Sequence, residues 1–190
     1  YGVVGIISPW NFPVNLSIGP LVDAFSAGNA GMIKLSEFVP STSRLLEQLI
    51  CDKFDESEVV VINGGMQTSI DFTKLPFDHL IYTGSTDIAR KVSSEAAKNL
   101  VPLTLELGGK SPTILSNGAS IDKSVNKILF GKLLNGGQIC VSPDYSFIPE
   151  QKVEQFIETS RNFISEKFPT IKNNPDYTSL VHQSHYERVK

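Results

Sequence analysis

A cysteine, a carboxylate and a side-chain amide are the groups in this 190-residue sequence best placed to do covalent chemistry. Cys140 closes the run Asn135-Gly136-Gly137-Gln138-Ile139-Cys140, just past an expected helix end. Glycines there let the backbone approach a ligand and leave the sulfur reachable from a loop. That suits a thiolate nucleophile, whose reactivity depends on exposure and a lowered pKa. The other reading of a lone cysteine is a small buried hydrophobe, and Cys51, on the apolar face of an expected helix, takes that reading. Glu106 lies in Leu105-Glu106-Leu107-Gly108-Gly109-Lys110-Ser111. A carboxylate between leucines at a strand end invites desolvation, which raises its pKa toward the range of a general base. The alternative is an edge-strand charge facing water. Asn11 sits in Pro9-Trp10-Asn11-Phe12-Pro13, where two prolines stiffen the loop and a rigidly held amide would make an oxyanion donor.

Other segments could hold an anion or a sugar. Thr83-Gly84-Ser85-Thr86 follows an expected strand and opens an expected helix, so backbone N–H groups and the positive helix end make an anion site. An ordinary Ser or Thr cap would look the same. Lys34 and Glu37 close the second expected strand, the place where doubly wound folds read a ribose; otherwise they are an exposed charge pair. Gly109-Lys110-Ser111 is not a phosphate-binding P-loop, because that motif needs glycine where Thr104 stands. His79 precedes a buried strand and reads as structural. His182 and His185 lack a third ligand nearby, so no metal site is expected.

The elements that must position these groups alternate regularly. Apolar β-branched runs at 3–7, 30–35, 59–62, 79–82, 104–107, 113–115 and 145–148 read as strands. Helical periodicity covers 17–27, 41–51, 68–74, 85–98, 121–134 and 151–168, with Leu45, Leu46, Leu49 and Ile50 on one face of the second. Continuous apolar strands between helices predict an α/β, doubly wound parallel sheet covered on both faces, a Rossmann-like domain. Further strands and helices follow it. The expected division is 1–107 and 108–190.

Composition excludes several classes. The chain is 41% hydrophobic and 19% charged with a net charge of −3, ordinary for a globular protein. No basic block argues for nucleic acid or anionic lipid. Two cysteines make neither a disulfide framework nor a zinc site and suggest a reducing compartment, read as the cytoplasm. Residues 1–22 lack charge, but Pro9, Pro13 and Pro20 would break a membrane helix, and no basic n-region marks a signal peptide. Opening on a bare strand, the sequence reads as cut from a longer chain.

Together these segments resemble the aldehyde dehydrogenase superfamily. The matching words are Pro9-Trp10-Asn11-Phe12-Pro13, Ala27-Gly28-Asn29, Lys34-Leu35-Ser36-Glu37, Thr83-Gly84-Ser85-Thr86, Glu106-Leu107-Gly108-Gly109-Lys110-Ser111-Pro112 and Gly137-Gln138-Ile139-Cys140, in family order and spacing. Ile62-Asn63-Gly64-Gly65, Phe77-Asp78-His79, Asn99-Leu100-Val101-Pro102 and Cys140-Val141-Ser142-Pro143-Asp144-Tyr145 are similar to the class-3-like branch that includes coniferyl aldehyde dehydrogenases. The resemblance implies oxidation of an aldehyde to an acid by NAD, with NADP possible, by a cofactor-binding domain over 1–107 and the beginning of an α/β catalytic domain over 108–190. Cys140 would form a thiohemiacetal and then a thioester, Asn11 and the Cys140 N–H would hold the oxyanion, and Glu106 would activate water. It also implies cofactor contacts at Ile7, Ser8, Trp10, Lys34, Glu37, Gly84, Ser85, Leu107 and Gly108, a small-molecule aldehyde partner, and a homodimer or larger homo-oligomer of the parent. Leu35 departs from the family's usual proline and Ala89 from its usual glycine. The later Glu-x-Phe-Gly-Pro word, an N-terminal segment and a C-terminal oligomerisation strand are missing. A dinucleotide-binding module without turnover and a CoA-acylating enzyme remain alternatives.

Overall fold

The computed structural model describes residues 2–190. The chain divides into two compact units, Tyr1–Leu107 and Gly108–Lys190. The first is built from strands β1 (Val3–Ile7), β2 (Ala30–Lys34), β3 (Val59–Ile62), β4 (His79–Thr83) and β5 (Leu103–Glu106). Between them run helices α1 (Asn15–Ser26), α2 (Pro40–Cys51), α3 (Met66–Phe72) and α4 (Thr86–Ala96). Every pairing is parallel and the strand order is β3-β2-β1-β4-β5. The chain therefore winds outward from β1 in one direction and resumes on β1's other side, the doubly wound arrangement expected from the sequence.

Period-two alternation sorts the strand residues onto two faces. Val4, Ile6, Ile33, Val59 and Val61 pack with Leu21 and Ala24 of α1 and Leu46 and Ile50 of α2. Leu80 and Tyr82, with half-buried Ile7, Met32 and Ile62, face Phe72 of α3 and Ala89, Val92 and Ala96 of α4. Residues such as Ile6 and Leu80, fully removed from solvent, each contribute about 1.5–3 kcal/mol of transfer free energy. Ala89 is 2% exposed and fills this second core.

The apolar face expected for α2 is narrower in the structure. Leu46 and Ile50 are buried, while Leu45 and Leu49 are 55% and 49% exposed. Each stands about 100° around the helix from its buried neighbour, and one stripe suffices to cover the sheet. Cys51 is exposed for the same reason, against the expectation of a buried hydrophobe.

The second unit holds β6 (Ser111–Ile114) and β7 (Pro143–Phe147), which pair in parallel, with α5 (Ile121–Leu133), α6 (Val153–Lys167) and α7 (Gln183–Val189). Its core is small: Leu115, Ile121 and Val125, with half-buried Ile128, Leu129, Ile148, Phe156 and Phe163. The short α7 had no periodic signal; His182 caps it by accepting from the Ser184 N–H.

Candidate active site

The sequence order places the ends of β1 and β4 side by side, where the winding direction reverses. Outside the carboxyl ends of such strands lies the crevice that doubly wound folds use for ligands. Ile7 pairs with Lys34 on one side and Tyr82 on the other, and Thr83 pairs with Glu106. Ile7, Lys34, Glu106 and the Gly84-Ser85 turn thus reach one edge of the sheet. The loop after β1 is tied down by its own serines. The Ser8 N–H donates to the Lys34 carbonyl at 3.0 Å, and the Ser8 and Ser17 hydroxyls donate to the Pro13 carbonyl at 3.3 and 2.6 Å. Trp10 and Asn11, half-buried, ride on this clamped loop.

After β4 the Gly84 N–H donates to the Glu106 carbonyl at 2.9 Å, and Ser85 caps α4 by accepting from the Ile88 N–H at 3.4 Å. Any side chain at Gly84 would run into the Tyr82 ring, so the glycine allows close packing of this turn. The Tyr82 hydroxyl donates to the Ser85 carbonyl at 3.3 Å, and burial pushes its pKa up. The first turn of α4, with its free N–H groups and the Ser85 hydroxyl, fits a phosphate.

Lys34 is not the exposed member of a charge pair. It is 1% exposed, and its Nζ donates to the Leu35 carbonyl at 2.6 Å. Burial lowers its pKa, and the nearby Glu37 carboxylate partly opposes that. Glu37 itself is exposed and lines a cavity of about 230 Å³ with Ser36, Arg44 and Asn63. Sequence reasoning missed Arg44 and Asn63. Arg44 lies a turn into α2, and only the tertiary fold brings that turn beside the loop after β2.

The expected desolvation of Glu106 is not found either. β5 has a strand partner on one side only, Leu105 is 38% exposed, and Glu106 at its end is exposed. Leu107 packs half-buried against the core that contains Leu80 and Tyr82.

Cys140 and Gly108 belong to the second unit. Past α5 the chain turns through Asn135, Gly136 and Gly137, all with φ between 53° and 76°. The Gln138 side chain holds this turn, donating to Asn135 and Ser179 carbonyls at 2.9 and 3.2 Å and accepting from the Val181 N–H at 3.0 Å. A second turn follows, closed by the Ser142 N–H on the Ile139 carbonyl at 3.1 Å, and Cys140 is its second residue. Cys140 is exposed. Ser142, buried, anchors the turn by donating to the Gly131 carbonyl of α5 at 3.3 Å. A cysteine exposed on a doubly anchored turn can serve as a nucleophile toward an electrophilic carbon.

Residues 1–190 match the aldehyde dehydrogenase family throughout. The chain belongs to that family. It is similar to the probable coniferyl aldehyde dehydrogenase of Caulobacter vibrioides, 54% identical over 189 residues, which are 100% of this chain and 39% of that protein. Among solved structures it is similar to a substrate-bound Staphylococcus aureus AldH, 39% identical with a TM-score of 0.90, covering 98% of this chain and 41% of that one. A Mycobacterium tuberculosis aldehyde dehydrogenase complexed with NAD+ is 30% identical with a TM-score of 0.80, over 86% of this chain and 34% of that one. The chain thus spans about 40% of the length of the curated relatives it matches. Among the described residues no cluster of His, Cys, Asp and Glu could hold a metal ion, and no helix is long and apolar enough to cross a membrane.

Proposed function

We propose that this chain is the cofactor-binding and nucleophile-bearing part of an NAD(P)-dependent aldehyde dehydrogenase. The observation that carries the reading is the family match over residues 1–190 in a chain that retains Cys140, exposed on an anchored turn. A bound nicotinamide dinucleotide supplies the hydride acceptor. Its pyrophosphate would lie at Trp10 and the first turn of α4, with Gly84 and Ser85, and its adenosine ribose at Lys34 and Glu37. Ile7, Ser8, Leu107 and Gly108 would line the remainder.

The chain's own groups divide the oxidation into easier steps. The Cys140 thiolate adds to the aldehyde carbon, forming a C–S bond and an alkoxide. The Asn11 amide and the Cys140 N–H donate hydrogen bonds to that oxygen. Hydride loss leaves a thioester on Cys140. Glu106 then takes a proton from water as the water attacks the thioester carbonyl, releasing the carboxylic acid and the thiolate. Exposure suits Glu106 to this role, since a base that meets water must be reachable by it. The name of the Caulobacter relative points to an aryl-propenal substrate class. The reading includes a cytoplasmic enzyme and a homo-oligomeric parent. Its test is a panel of aliphatic and aromatic aldehydes with NAD and the full-length enzyme, following reduced nicotinamide by absorbance. Acid and reduced cofactor in equal amounts are expected. Acyl-CoA as the required product, or binding without turnover, would replace this reading.

A further inference from the structure

An ion pair joins β6 to β7 beside the turn that carries Cys140. Gly109, one residue before Lys110, packs against the Cys140 carbonyl. Past the turn the chain enters β7, and its register on β6 slips: Ser111 pairs with Pro143, but Pro112 pairs with Tyr145. Asp144 is the extra residue of this bulge, which falls where Pro112 has no N–H to give a ladder. The Lys110 Nζ donates to Oδ1 of Asp144 at 3.2 Å and lies 3.1 Å from Oδ2. The Lys110 side chain is 80% exposed and that of Asp144 31%. So exposed a pair adds little to stability. Its two ends, however, stand one residue from the glycine that touches Cys140 and four residues past Cys140 itself.

We propose that Lys110 and Asp144 are a positioning pair for the nucleophile: the ammonium draws the bulge toward the residue after Gly109 and so holds the Cys140 turn against β6. The proposal rests on the reading of Cys140 as the attacking thiolate. Bulges next to reactive groups re-aim a side chain, and attack on a carbonyl carbon tolerates little misplacement. The pair acts on the turn alone. Its loss slows the covalent step and leaves cofactor affinity and KM for the aldehyde as they are.

The test is the rate of the first turnover of the full-length enzyme, read as reduced nicotinamide per folded molecule, with NAD affinity and KM measured beside it. Lys110→Met and Asp144→Asn should each slow that turnover by about fivefold, the upper range for an exposed ion pair. The double variant should be no slower than either single one, because the second change has no partner left to remove. Lys110→Asp combined with Asp144→Lys should recover at least half of the lost rate. Sodium chloride at about 1 M should erase most of the advantage of wild type over the double variant, since the Debye length is then near 3 Å. Single variants as fast as wild type overturn the proposal and leave the thiolate reading standing. So do losses that multiply in the double variant, an advantage that salt does not reduce, or a fall in NAD affinity equal to the fall in rate. A wild-type enzyme that forms no reduced nicotinamide overturns the thiolate reading and the proposal with it.

Discussion

Gly109 is packed against the peptide of Cys140: a Cβ at position 109 would lie 2.5 Å from the Cys140 carbonyl oxygen. Carbon and oxygen do not approach so closely without bonding, so a side chain there must move the turn that carries the sulfur. Gly109→Ala is expected to lower kcat/KM of the full-length enzyme by about tenfold to a hundredfold, since misplacement by an ångström costs on that scale. Far-ultraviolet circular dichroism should stay native. Normal turnover in the folded variant would mean that the turn does not position the nucleophile.

Cys140→Ser should abolish turnover while affinity for NAD stays close to wild type, because the proposed cofactor contacts lie chiefly along the sheet edge of the first unit. Steady-state rates and calorimetric titration read the two effects separately. Retained dehydrogenase activity would remove Cys140 from the reaction.

Lys34 gives a pH dependence with a definite sign. Burial lowers its folded pKa below 10.5, so the unfolded chain binds more protons between the two values. Stability therefore gains from this residue as pH rises through that window, and below it the cost of the buried charge is constant. Lys34→Met should remove the gain. The unfolding free energy of the variant minus that of wild type should be largest near neutrality and shrink as pH approaches 10.5. A constant difference in urea titrations across that range would contradict the buried charge.

Ile6, fully buried between α1 and α2 in the central strand, tests the first core directly. Ile6→Ala should cost about 2–5 kcal/mol in urea unfolding, the range for large-to-small core changes. A loss below about 1 kcal/mol would mean that this face of the sheet relaxes around the gap.

Much of the architecture was legible in the sequence because fully apolar strands, such as Val59-Val60-Val61-Ile62, have few other ways to be buried. Gly28, at φ 77°, marked the end of α1 within two residues. The placement of Cys140 past a helix end was legible from the glycines that precede it. Side-chain environments were harder to read. Lys34 is hidden because its ammonium finds the adjacent Leu35 carbonyl, a partner no pattern advertises. Leu45 and Cys51 lie outward because α2 needs a single apolar stripe. Glu106 is exposed because β5 is an edge, and edges are decided by topology rather than by flanking leucines. Arg44 gained its interest from the loop after β2, across the turn into α2.

The most direct test of the central claim is mass analysis of the Glu106→Gln variant of the full-length enzyme, after mixing with NAD and an aromatic aldehyde. The account predicts a burst of reduced nicotinamide equal to the enzyme present. An acyl group should stay on the peptide that contains Cys140, its hydrolysis slowed by loss of the base. Reduced cofactor forming at the full steady rate, with Cys140 unmodified throughout, would contradict it.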